Sequence, residues 1–161
     1  MIYYGKYFLV AYILILIQSS IFFKKTFNFF VIPDFALIYI FWLTIENKQT
    51  IAKYVGLFVG IFLDLVNPDK TFINTFTYFF STLYIINLKN NFLNFNFILK
   101  LLTVILLSLI VSVPKTTYLF FTTGFLVNED FKLISFYVLA NTVMMYFVYY
   151  FDIFVLKRNE V

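Results

Sequence analysis

The sequence predicts an all-α membrane protein, a six-transmembrane-helix bundle forming one domain over residues 1–161. Hydrophobic residues fill 63% of the 161 positions and aromatic residues 24%, while charged residues account for only 12%. A water-soluble domain carries roughly 25% charged residues to coat its surface, so this chain is built for another solvent. The charges are clustered, at Lys24–Lys25, Glu46–Lys48–Lys53, Asp69–Lys70, Lys89, Glu129–Asp130–Lys132 and Lys157–Arg158. Between them lie apolar runs of the length a bilayer demands of a helix, about 17 to 25 residues.

The first expected span covers residues 7–23, between Lys6 and the Lys24–Lys25 pair. A secretory signal peptide is the competing reading. No A-x-A-like cleavage site follows and no soluble domain comes after it, so a retained helix is expected. The second span covers 26–46 and contains Pro33–Asp34, which has the form of a helix start. Proline suits the first helical position, and a carboxylate there meets the positive end of the helix dipole. Pro33 to Glu46 would measure only ~21 Å at 1.5 Å per residue, so residues 26–32 are needed to complete the depth.

The third span covers 51–66 and stops before Asn67–Pro68, a turn signal. The fourth, 71–87, carries Asn74, Thr75, Thr77, Ser81 and Thr82. Such a helix should pack part of its surface against protein rather than lipid. "NLKNNFLNFNF" (87–97) reads as a polar connector. The fifth span covers 97–113 or continues beyond Pro114, where "TTYLFFTTGFLV" (116–127) either prolongs a kinked helix or lies at the interface. The sixth, 133–156, ends in Lys157–Arg158.

If both termini are cytoplasmic, Lys6, Lys48, Lys53, Lys89, Lys100, Lys157 and Arg158 lie inside, seven against the five outside (Lys24, Lys25, Lys70, Lys115, Lys132). The positive-inside rule favours that orientation. The net charge of +4 is spread in ones and twos, whereas nucleic acid would require a concentrated basic stripe.

The sequence contains no cysteine and no histidine. Disulfides and thiolate metal sites are therefore excluded, and no metal or cofactor site is expected. Scattered carboxylates without His, Cys or a Ser–Lys pairing supply no nucleophile or proton relay. No glycine-rich phosphate loop is present, and the chain is not expected to be an enzyme.

The chemistry-bearing feature is a stripe on the third span. Lys53, Gly56, Gly60, Asp64 and Asn67 follow at intervals of three, four, four and three, which places them on one helix face. The glycines admit a close helix neighbour, and packing drives helix association in lipid. An ionisable group within a membrane helix costs several kcal/mol unless satisfied. Asp64 therefore either reaches the outer headgroups or is paired inside the bundle or against a partner helix. Asp34, expected at similar depth, reads as a helix-start carboxylate. Asn141 is expected to donate an interhelical hydrogen bond, and Asp152 to pair with Lys157 or Arg158 near the interface.

Residues 33–85, "PDFALIYIFWLTIENKQTIAKYVGLFVGIFLDLVNPDKTFINTFTYFFSTLYI", resemble the MreD family of rod shape-determining membrane proteins. The resemblance rests on Pro33–Asp34, the short basic loop Lys48–Lys53, the Gly56–Gly60–Asp64 pattern and the polar-dotted helix Asn74–Ser81. The "LLSLIVSV" run (106–113), the overall length and the basic tail also agree. The glycines usual in the turn after the aspartate are missing from "VNPDKTFIN". The resemblance implies a multi-pass scaffold of the bacterial inner membrane that binds MreC and, through it, MreB, RodA and its transpeptidase partner. Pro33, Asp34, Gly56, Gly60 and Asp64 would then serve helix packing or partner contact. The family is also regarded as related in fold to the vitamin-binding S components of energy-coupling-factor transporters. Those dock through an A-x-x-x-A pattern on the first helix, where this chain has Ala11 followed by Ile15.

Overall fold

The computed structural model describes residues 2–19, 33–66, 72–123 and 128–153. Among them the chain is all-helical, with no strand: α1 (Ile2–Ser19), α2 (Phe35–Ile45), α3 (Gln49–Val66), α4 (Ile73–Asn94), α5 (Phe97–Thr123) and α6 (Asn128–Phe151). Three stretches are long and apolar enough to cross a membrane, namely Gln49–Val66, Phe97–Tyr118 and Ile134–Phe151. Tyr4–Ser19 and Phe35–Ile45 are shorter apolar helices. α4 has ample length at 22 residues, but its Asn, Thr, Ser and Lys side chains make it less apolar.

The short helix α2 is the hub. Eight of its 11 residues are buried, and it packs against α1, α3, α4 and α6. A helix apolar on nearly all sides is satisfied only when surrounded by other elements, and "FALIYIFWLTI" has that character. Ala11 and Ile15 of α1 face inward and are buried, as are Val104, Leu107 and Val111 of α5 and Met145 of α6. The outward faces of α1, α5 and α6 expose Leu9, Ile13, Leu102, Leu106, Leu139 and Val143. In lipid such faces need no polar cover.

Both ends of α2 are defined by specific backbone chemistry. Helix φ/ψ begins at Phe35, so Asp34 is the N-cap and Pro33 precedes it, two positions before the first helical residue rather than at it. The Asp34 side chain accepts from the Leu37 N–H at 3.0 Å, satisfying one of the orphan amides of the first turn. At the other end Asn47 adopts φ 62°, a left-handed conformation that Asn tolerates. The Lys48 N–H reaches Leu43 O at 3.0 Å and the Asn47 N–H reaches Thr44 O at 3.2 Å. That is the Schellman pattern, and it reverses the chain into α3 within three residues.

One expectation changes, and one open alternative is decided. The stretch 87–97 is not a connector: α4 continues to Asn94, and only Phe95 and Asn96 separate it from α5. The reason is a helical row within the Asn-rich sequence. Ile85 and Phe92 are buried on one side, and Phe92 packs edge-on against Phe41. The Asn96 side chain then caps α5 by accepting from Leu99 N–H at 3.0 Å. Pro114 does not end the fifth helix, which runs to Thr123 with proline inside. The Thr116 and Thr117 hydroxyls bond back to Ser112 O and Val113 O at 3.0 and 2.8 Å in the turn that follows. Residues 20–32, the Asn67–Pro68 turn and the Lys157–Arg158 tail lie outside the described residues.

Candidate functional site

The polar residues gather where α2 begins, α3 ends and α4 begins. Asp64, in the last turn of α3, points its carboxylate at the first turn of α4. Oδ1 accepts from the Asn74 N–H at 3.0 Å and from Asn74 Nδ2 at 2.9 Å. Oδ2 accepts from the Thr75 N–H at 2.8 Å and the Thr75 hydroxyl at 2.6 Å. One carboxylate thus caps two amides of α4 from the neighbouring helix. The residue at the N-cap position itself, Phe72, makes no side-chain cap bond. The negative charge also sits at the positive end of the α4 dipole.

The glycines bring the two helices close enough for this. A Cβ on Gly60 would lie 2.8 Å from Asn74 O and 2.9 Å from Thr75 N, and closer still to Thr75 Cα. A Cβ on Gly56 would strike the Thr82 hydroxyl and lie 3.4 Å from Tyr78 O. Of the neighbours this stripe might serve, the one it touches is α4 of the same chain. Asp64 is buried alongside it, so the stripe reads as one device: two glycines for approach and a carboxylate for capping.

The second carboxylate, Asp34, joins three helices. Beyond its own Leu37 N–H, it accepts on Oδ2 from the Tyr78 hydroxyl of α4 at 2.5 Å and the Tyr137 hydroxyl of α6 at 2.9 Å. The Asp34 backbone N–H donates to Asn141 Oδ1 of α6 at 2.7 Å. Asn141 therefore makes the interhelical bond as acceptor rather than donor, because the N-cap residue has a backbone N–H to give. Asp34, Tyr78 and Asn141 are all essentially inaccessible.

Lys115 stands between the two nodes. Its Nζ lies 4.7 Å from the centre of the Tyr78 ring, and its charge is within electrostatic reach of both Asp34 and Asp64. No direct ion pair joins it to either carboxylate among the described residues. Two further polar atoms, Ser112 Oγ and Asn141 Nδ2, are buried without a hydrogen-bond partner there.

Pro33, Asp34, Gly56, Gly60 and Asp64 thus belong to one α2–α3–α4 unit, with Asp34 and Asp64 in separate nodes. Tyr78, Tyr137 and Lys115 escaped the sequence reading. The chain has 13 tyrosines, and Tyr near a helix end reads first as an interface anchor. Asp152 is buried at the opposite end of the bundle. No protein-family model matches this chain, and no curated protein or solved structure shows significant similarity to it.

Proposed function

We propose that this chain is a six-span scaffold of the bacterial cell-elongation machinery. It binds MreC directly and, through it, sits with MreB, RodA and its transpeptidase partner in the inner membrane, both termini cytoplasmic. The reading rests on the resemblance of residues 33–85 to MreD proteins. One structural observation supports it: the residues that carry the resemblance also hold one rigid unit together. Pro33–Asp34 starts α2, Gly56 and Gly60 seat α4, Asp64 caps it, and Asn74 receives that cap. Asp34 then ties the unit to α6. A part built this way works by presenting fixed helix surfaces, with the Asp34 and Asp64 carboxylates bonded to neighbouring helices rather than turned to an open cleft.

The partner surface is then not the glycine stripe, which α4 covers, but the exposed apolar faces of α1, α5 and α6. The competing reading, a vitamin-binding transporter subunit, would use small residues on α1 for docking. Ala11 and Ile15 are instead buried in the bundle, on a helix that packs against α2 and α3.

Affinity purification of the tagged chain from native membranes in mild detergent, read by mass spectrometry, tests this. Recovery of MreC with wall-elongation enzymes is expected. Recovery of a transmembrane coupling subunit with paired ATPases would replace the scaffold with the transporter reading.

A further inference from the structure

Past Pro114 the α5 helix leaves the core. On its inward face Val104, Leu107, Ser108, Val111 and Ser112 are buried, a row that helical geometry continues through Lys115 and Tyr118. Beyond the proline that burial ends. Of the described side chains Lys115, Thr116, Thr117, Tyr118 and Phe121, none is buried. The final turns of α5 therefore lack the apolar anchorage that fixes the rest of the helix.

The backbone is weakened at the same place. Pro114 stands inside the helix, with no N–H to give to the carbonyl four residues earlier and a ring that crowds it. In the next turn the Thr116 and Thr117 hydroxyls bond to Ser112 O and Val113 O, a back-bonding that slightly destabilises helices and bends them. What draws this turn inward is a charge. The Lys115 ammonium lies 4.7 Å from the centre of the Tyr78 ring and within electrostatic reach of Asp34 and Asp64. No ion pair locks it to either carboxylate among the described residues.

We propose that Pro114 is a hinge and Lys115 its latch, so that residues 115–123 exchange between the docked position and one swung away from α4. The α2–α3–α4 unit stays fixed, held by the bonds to Asp34 and Asp64. Swinging lifts the lysine off Tyr78 and uncovers, between α4 and α5, the ring whose hydroxyl holds Asp34. The bundle is then a rigid part with one movable edge, whichever partner it serves.

The sequence has no cysteine, so the motion can be read by spin labelling. Double electron–electron resonance on the full-length chain in lipid nanodiscs, labelled at Leu65→Cys and Phe121→Cys, measures the distance from the end of α3 to the end of α5. Both positions are 78% exposed. A main distance with a longer, minor one is expected. Lys115→Met should raise the longer population at least about twofold, the size of a weak electrostatic coupling. Adding Pro114→Ala should return a single distance. A control pair ahead of the proline, Leu65→Cys with Leu106→Cys, should not change. A single distance that Lys115→Met leaves unaltered overturns the latch, and a longer population that survives Pro114→Ala overturns the hinge. A control pair that moves equally marks general loosening and overturns both. Should Lys115→Met fail to insert, Lys115→Gln removes the same charge and must shift the distribution in the same direction.

Discussion

The hydroxyl of Tyr78 donates to the carboxylate of Asp34 across 2.5 Å, linking residues 44 positions apart. Tyr78 is itself almost inaccessible, and Asp34 also receives Tyr137 at 2.9 Å on the same oxygen. Two helices, α4 and α6, are thereby fixed to the start of α2. Hydrogen bonds to charged groups contribute roughly 1.5–3 kcal/mol when removal leaves the partner buried. Tyr78→Phe should therefore destabilise the bundle by about 2 kcal/mol, and Tyr137→Phe by less, its bond being longer. Because both phenols share Oδ2, the double variant should depart from additivity. Reversible unfolding in mixed micelles measures all three, and a perfectly additive pair would separate the two bonds.

The glycines are predicted to differ. Gly60→Ala would push a methyl into the backbone of Asn74 and Thr75, which cannot move without shifting the start of α4. Gly56→Ala meets chiefly the Thr82 side chain, which can rotate away at the cost of its 2.7 Å bond to Tyr78 O. Alanine gains up to ~1 kcal/mol of helix propensity over glycine, while overpacking costs typically ~1–3 kcal/mol. Gly60→Ala should lower the melting temperature clearly and Gly56→Ala only slightly. The reverse order would show that α3 and α4 separate more easily at Asn74 than at Thr82.

Asp64 is predicted to act through shape as much as charge. Asp64→Asn keeps one acceptor oxygen for two or three of the four donors, whereas Asp64→Ala leaves the Asn74 and Thr75 amides uncapped. Loss of an N-cap costs typically ~1 kcal/mol and up to about 2, and burial adds to it. The expected order of stability is Asp, then Asn, then Ala. Hydrogen exchange at Asn74 and Thr75 should quicken in the same order, which a purely global loss of stability would not single out.

Much of this site is written locally, and some of it is not. Gly56, Gly60 and Asp64 repeat at helical spacing, and the polar dots of α4 call for a protein neighbour. Asp64 and Asn74 are only ten residues apart, so the contact is local in the sequence. Asp34 is different. Its local signal, a carboxylate after proline, accounts for the N-cap and for nothing else. Tyr137 lies 103 positions away, and no periodicity in α6 distinguishes it from Tyr146 or Tyr150. The end of α4 differs for a related reason: Asn-rich composition conceals the Ile85–Phe92 row.

The last prediction concerns Lys115, whose charge reaches both carboxylates without touching either. Charge coupling at such range is modest in a partly exposed setting, so Lys115→Met alone should cost little more than its packing on Tyr78. Its effect should depend on what remains across from it. With Asp34 and Asp64 intact, removal leaves two carboxylates at one end of the bundle without the cation between them. In an Asp64→Asn background one of those charges is gone, and Lys115→Met should cost less. Neighbouring groups in one electrostatic network commonly show couplings of about 0.5–3 kcal/mol, and a value near the lower limit is expected here. A double-mutant cycle read by unfolding in micelles at low and high salt measures it. Coupling that shrinks with salt marks the lysine as their shared counter-charge. Zero coupling at both salts would reduce its role to a hydrocarbon stem lying on the Tyr78 ring.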